Sequence, residues 1–255
     1  MRQLSKKKIE ILGKTVGGNT PLICVPLCEN NRDQLIEAAV KAIESEADIV
    51  EWRADAFEPA DCEEILTTLR QLHAKLPMVP LIFTCRRPEE GGLQQAWNSI
   101  DRLELIERVA ASRHVHFIDT ELGNDDDYVE AIAAICAENS VKLILSYHNF
   151  QQTPDEKVIL DNLLKAERAG ADIAKIAVTP NCYTDVLTLL SATNRARIDH
   201  LQIPMITISM GLTGVVSRIA GGLFGSDITF ATAARASAPG QLPVAEMRQA
   251  MSLLY

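Results

Sequence analysis

The sequence predicts an α/β protein built as a parallel (β/α)8 TIM barrel, and three observations carry that prediction. Eight short, apolar, β-branched segments recur along the chain, a stretch of helical periodicity follows each, and no Pro/Gly/Ser-rich linker divides the series. A chain of 255 residues, 47% of them hydrophobic, can bury the core of one such barrel, so residues 1–255 read as a single domain. In order, the strands fall at 22–27, 49–53, 79–86, 115–122, 142–148, 172–178, 204–210 and 227–231. The helices that follow them fall at 32–46, 61–76, 94–111, 125–139, 155–169, 183–194, 215–220 and 244–254. Thr153-Pro154-Asp155 opens the fifth helix, with Thr as its cap and Pro in its first helical position. Ahead of the repeat, residues 8–12 and Thr15-Val16 around Gly13 read as a hairpin capping the barrel bottom.

Composition excludes several classes. With 25 basic against 34 acidic side chains the net charge is −9, and no basic run exceeds Lys6-Lys7-Lys8, which argues against a nucleic-acid partner. No stretch approaches the ~18–20 apolar residues of a membrane span, and residues 1–14 lack the apolar run of a secretory signal, so a cytoplasmic protein is expected. The six cysteines are scattered without C-x-x-C or Cys/His ligand spacing, so no metal site and no disulfide framework are expected.

Side chains two apart share a strand face, and a barrel's active site lies at the carboxyl ends of its strands. Charge gathers late in these strands: Glu51 and Arg53, Arg86, Asp119 and Glu121, His148, Lys175. Burying unpaired charge is costly, so five strands aiming ionisable groups at one place point to a pocket. Lys175 stands alone in Ile173-Ala174-Lys175-Ile176-Ala177-Val178; it either pairs with a strand carboxylate such as Glu121 or, crowded by other cations, supplies a free amine that adds to a carbonyl. His148 ends the preceding strand and is suited to moving protons for such an amine. Glu51 and Arg53 form either a buried ion pair or a set of hydroxyl ligands. Arg86 opens a segment that is either an ordinary solvated loop or a substrate-contacting one that the Gly91-Gly92 pair would let swing, Arg218 is either a surface residue or a bidentate carboxylate clamp, and 236–241 is a small-residue loop that could act as a lid.

Together these residues resemble the type I 3-dehydroquinate dehydratase family. The resemblance rests on Glu51-Trp52-Arg53 with Asp55, Phe83-Thr84-Cys85-Arg86 leading to Glu90-Gly91-Gly92, Ser146-Tyr147-His148-Asn149-Phe150, 171–177 around Lys175, Ser217-Arg218, and 236–241, in the family's order. It implies Lys175 as the Schiff-base lysine, His148 as the general acid/base and Glu90 as the carboxylate that positions it. It further implies Glu51, Arg53 and Arg86 as ligands of the ring hydroxyls, and Arg218, Ser237 and Gln241 as ligands of the substrate carboxylate. The implied reaction converts 3-dehydroquinate to 3-dehydroshikimate and water by syn elimination, in the shikimate pathway, in a homodimer, with no metal or organic cofactor. Two departures stand out: Pro26, where enterobacterial members carry serine, and Gly211-Leu212, which replaces a more polar pair. A class I aldolase, which also uses a barrel lysine, and a non-catalytic metabolite-binding barrel are the alternatives.

Overall fold

The computed structural model describes residues 2–58, 61–93, 99–233 and 238–255. Two short strands, β1 (Ile9–Ile11) and β2 (Lys14–Val16), pair antiparallel around a tight turn. Eight parallel strands follow: β3 (Leu22–Leu27), β4 (Ile49–Arg53), β5 (Leu81–Thr84), β6 (Phe117–Glu121), β7 (Lys142–Asn149), β8 (Ile173–Val178), β9 (Met205–Ser209) and β10 (Ile228–Phe230). They run in the order β10-β3-β4-β5-β6-β7-β8-β9. Around them lie α1 (Arg32–Glu44), α2 (Cys62–Lys75), α3 (Ser99–Ala111), α4 (Asp126–Glu138), α5 (Glu156–Arg168), α6 (Tyr183–Arg195), α7 (Val215–Ala220) and α8 (Val244–Met251). Every predicted strand and helix is present, with ends shifted by a few residues. The start of the third predicted helix, 94–98, lies outside the described residues.

Helix starts obey local chemistry. Asn31 caps α1 by accepting from the Gln34 N–H at 3.0 Å, and Asp61 caps α2 through the Glu64 N–H at 3.3 Å. The expectation at Thr153 is corrected: α5 begins at Glu156, and the Thr153 hydroxyl donates instead to the Thr179 carbonyl at 3.0 Å, tying the two loops that follow β7 and β8.

Within the barrel, alternate strands contribute successive layers of inward side chains. Ile49, Phe117, Ile173 and Ile228 come from β4, β6, β8 and β10, and Cys24, Ile82, Ile144 and Ile206 from β3, β5, β7 and β9; all eight belong to one buried cluster. Ile9 and Val16 of the hairpin join that cluster, so the hairpin closes the lower end of the barrel with apolar surface, as expected from the sequence. No regular ladder links β9 to β10 among the described residues. That seam is joined by Asp227, whose N–H donates to the Met205 carbonyl at 2.7 Å and whose Oδ2 accepts from the Met205 N–H at 2.9 Å and from Arg197 at 2.6 Å. Arg2 reaches the other Asp227 oxygen.

The lower rim yields a first prediction. His116 Nδ1 accepts from the Leu81 N–H at 3.1 Å, so the ring must be neutral there, and burial together with His73 moves it below its ordinary value of 6.5. A folded value below the unfolded one means that its stabilisation is complete above about pH 6.5 and is lost as pH falls. His116→Leu should cost about 1 kcal/mol at pH 8, the scale of one hydrogen bond. Thermal melts should show the gap to the parent narrowing below pH 6.5; a gap independent of pH would contradict this.

Candidate active site

Above the apolar layers the barrel turns polar. The next layer from β4, β6, β8 and β10 is Glu51, Asp119, Lys175 and Phe230. Lys175, 5% exposed, places Nζ 2.7 Å from Asp119 Oδ2, 3.4 Å from Glu51 Oε1 and 4.7 Å from the centre of the Phe230 ring. The lysine is therefore set between carboxylates and not crowded by cations, and its partners are Asp119 and Glu51 instead of Glu121. The reach from β8 to β6 passes over β7, where small Ser146 stands opposite Lys175 and donates to Asp119 Oδ1 at 2.7 Å. Glu51 also accepts from the Thr84 hydroxyl at 2.8 Å.

Arg86 sits over this layer with most of its guanidinium turned to protein. It donates to Asp119 at 2.7 Å, Glu121 at 3.1 Å and the Ser146 oxygen at 2.6 Å. Burial alone would raise the Asp119 carboxyl, but Arg86 and Lys175 outweigh it and hold Asp119 below the usual carboxylate range. Arg53 is likewise engaged: it grips Asp55 through two bonds of 2.8 Å and the Gly91 carbonyl at 3.1 Å, so its ion-pair partner is Asp55 and not Glu51. Asp55 also accepts from the Arg86 and Leu93 N–H groups at 3.2 and 3.1 Å, which pins both ends of the intervening loop.

That loop places Glu90. Pro88–Glu90 forms a 3-10 turn ending at Gly91, whose φ is 84°. A Cβ on Gly91 would lie 2.5 Å from the Phe150 ring and one on Gly92 2.2 Å from the Arg86 carbonyl oxygen, so these glycines allow close packing of the loop. Glu90 Oε2 accepts from the His148 backbone N–H at 2.8 Å and lies 3.1 Å from His148 Nδ1. Burial pushes the Glu90 carboxyl up to about 7 against the pull of Arg86. Burial, then Arg86 and Lys175, hold the His148 imidazole well below its ordinary range, so it is neutral at pH 7. When Glu90 is ionised it can only accept, and in that state the hydrogen sits on Nδ1 and the Nε2 lone pair is free. His148 lies one inward position beyond Ser146 on β7, hence one layer above Lys175 on the neighbouring strand.

Arg218, on α7, is buried and donates only to the carbonyls of Pro239 at 3.1 Å and Phe230 at 3.4 Å among the described residues. Its Nε has no partner there, and burial lowers its guanidinium to about 10. A buried cation facing carbonyls and a cavity favours an incoming anion. The 238–241 loop comes close because Gly240, with φ of 77°, would place a Cβ 2.2 Å from the Gly211 oxygen, while the Gly211 N–H donates to Pro239 at 3.1 Å. The Gly211 departure thus marks a backbone-to-backbone contact.

One cavity of about 780 Å³ is lined by Glu51, Arg53, Arg86, Glu90, His148, Lys175, Arg218 and Gln241 together. Ser237 lies outside the described residues. Asp119, Ser146 and Asp55 have no role legible along the chain beyond the shared face of Asp119 and Glu121 on β6, because pairing across an intervening strand leaves no local pattern.

The model of the Type I 3-dehydroquinase family matches residues 23–255. A 3-dehydroquinate dehydratase of Alkaliphilus oremlandii is 39% identical over 253 residues, covering 98% of each protein. The 3-dehydroquinate dehydratase structure from Geobacillus kaustophilus superposes with a TM-score of 0.96 at 38% identity, over 98% of this chain and 97% of that one. A type I 3-dehydroquinate dehydratase from Clostridium difficile, solved with covalent modified comenic acid, superposes with a TM-score of 0.93 at 35% identity, over 97% of each chain.

Proposed function

This chain belongs to the type I 3-dehydroquinase family and catalyses the 3-dehydroquinate dehydratase reaction as a hydro-lyase, and from that premise we propose that it eliminates water through an iminium carried by Lys175. The observation that carries the reading is a buried amine, reached from the cavity, with a neutral imidazole one layer above it. The covalent ligand of the Clostridium difficile relative fits the same chemistry.

The proposed steps are these. Lys175 passes a proton to the His148 imidazole and its Nζ adds to the substrate ketone; the imidazolium returns a proton to the carbinolamine hydroxyl, which leaves as water, and the iminium that remains draws electrons from the adjacent carbon. His148 Nε2 removes the proton from that carbon, the enamine expels the β-hydroxyl, and the imidazolium returns the proton to it as water departs. One base serving both events makes the elimination syn. Hydrolysis of the conjugated iminium then releases 3-dehydroshikimate and restores the amine. Asp119 and Glu51 balance the positive charge of the iminium nitrogen, which is electrostatic stabilisation by buried carboxylates. Arg86 braces Asp119, Arg53 braces Asp55, and both present their remaining edge to the ring hydroxyls beside Glu51. Arg218, Gln241 and Ser237 take the carboxylate. A barrel over 1–255, a cytoplasmic homodimer and a place in the shikimate pathway of aromatic amino acid biosynthesis rest on the family and complete the proposal.

The test is borohydride reduction in the presence of 3-dehydroquinate, followed by mass spectrometry. One ligand-derived mass on the peptide containing Lys175 is expected, and an active but unlabelled enzyme would exclude the iminium.

Arg218→Ala should chiefly weaken capture, because a guanidinium–carboxylate contact persists from ground state to transition state. Steady-state kinetics should show KM raised about tenfold or more with a smaller fall in kcat, in keeping with the ~1.5–3 kcal/mol of a charged hydrogen bond. Unchanged KM would move the carboxylate to another cation, Arg86 first.

A further inference from the structure

Arg102 belongs to α3, outside the barrel, yet its side chain is buried and turned inward. Its Nη2 donates to Glu121 Oε2 at 2.7 Å, and its guanidinium lies 5.8 Å from the centre of the Tyr128 ring of α4. The other oxygen of Glu121 accepts from Arg86 Nη1 at 3.1 Å and from the Arg87 N–H at 2.9 Å. Arg86 continues to Asp119, and Asp119 to Lys175. Five buried groups of alternating charge therefore run from the helix layer to the barrel axis: Arg102, Glu121, Arg86, Asp119 and Lys175. Buried pairs of this kind are screened far less than surface ones, so a charge removed at one end is felt at the other.

We propose that Arg102 is a positioning residue for the dehydration, neutralising Glu121 from outside the barrel so that the charge of Arg86 remains available to Asp119 and His148. The proposal rests on the lysine–imidazole reading above. Without Arg102, Glu121 draws on Arg86 alone and competes with Asp119 for one guanidinium.

The groups that share this field are on every neighbouring element. His148 is faced by Arg86 after β5, Lys175 on β8, Asp119 on β6, Arg53 on β4 and Glu90 in the 3-10 turn. Lys175 is faced by Asp119 and Glu51. Glu121 meets Arg86, Arg102, the Arg87 N–H and Asn124 Nδ2, and bears on Glu90; Arg102 is flanked by Cys85 and Tyr128. Removing one positive charge from this set leaves a net negative increment, which favours imidazolium over imidazole. The general base is then lost at a higher pH, and the acidic limb of the kcat/KM profile moves up. A residue that only packs α3 against α4 would lower stability and leave that limb in place.

The experiment compares Arg102→Met, Arg102→Lys and the double variant Arg102→Met/Glu121→Gln as full chains. Each is melted, assayed with 3-dehydroquinate from pH 5 to 9 and normalised to its folded fraction. Arg102→Met should shift the acidic limb upward by roughly 0.5–1 unit, the scale of one nearby charge. It should also slow borohydride trapping at Lys175 near pH 6. Arg102→Lys, which keeps the charge, should retain the parental limb, and the double variant, which carries no uncompensated charge, should return to it. A folded Arg102→Met with the parental profile overturns the proposal. If Arg102→Met does not fold, Arg102→Gln takes its place under the same criterion, and failure of both to fold assigns Arg102 to structure alone. Parental enzyme that is active but cannot be trapped sinks the Schiff-base reading instead, so the two failures are distinct.

Discussion

Lys175→Ala is expected to abolish turnover, by about 10⁴–10⁶-fold, the range seen when a covalent nucleophile is removed, and to remove the borohydride label entirely. No other lysine lies in the polar layer of the barrel among the described residues; Lys41, the other amine on the cavity wall, sits exposed on α1 and pairs with Glu37. The fold should persist, because Asp119 retains Arg86 and Ser146, and Glu51 retains Thr84, when the amine is gone. Circular dichroism of parental shape with no activity is the result that separates chemistry from stability. Residual turnover within tenfold of the parent, or a label on a different residue, would remove Lys175 from the mechanism.

His148→Ala has the second-largest expected effect. General acid–base catalysis typically contributes ~10²–10⁴-fold, and one imidazole here is assigned to carbinolamine formation, proton removal and departure of the hydroxyl. Lys175 should still form imine, more slowly, and the adduct should then stall. The expected sample is a folded, nearly inactive protein that accumulates ligand-derived mass on Lys175 without borohydride. Glu90 is not expected to take over, because its Oε2 stays bound to the backbone N–H of position 148. Near-parental turnover per folded molecule would shift the proton transfers to Glu90 or Glu121.

Much of the barrel could be read along the chain because its periodicities are local: β-branched runs alternate faces, helices repeat every few residues, and eight repeats without a linker leave few ways to bury both. The apolar floor of Ile49, Ile82, Phe117, Ile144 and Ile173 is legible for the same reason, as is the inward parity of Glu51, Asp119, His148 and Lys175. The stop of the Glu90 loop against Phe150 and the contact of Gly240 with Gly211 were not legible, since each depends on a backbone approach between segments distant in sequence.

By itself, the sequence determined which residue types stand at the carboxyl ends of the strands, and hence that an amine, an imidazole, several carboxylates and several guanidiniums share one pocket. Only the tertiary structure decided how they pair. Lys175 finds Asp119 across Ser146, Arg53 takes Asp55, Arg86 turns inward, and Arg102, on the buried face of its helix in line with Leu105, Ile106 and Val109, reaches Glu121. The reason is physical: strand parity fixes the face of a side chain, but which opposite charge it meets depends on barrel stagger, on the reach of long side chains and on burial, all of which are set when the strands are brought into register.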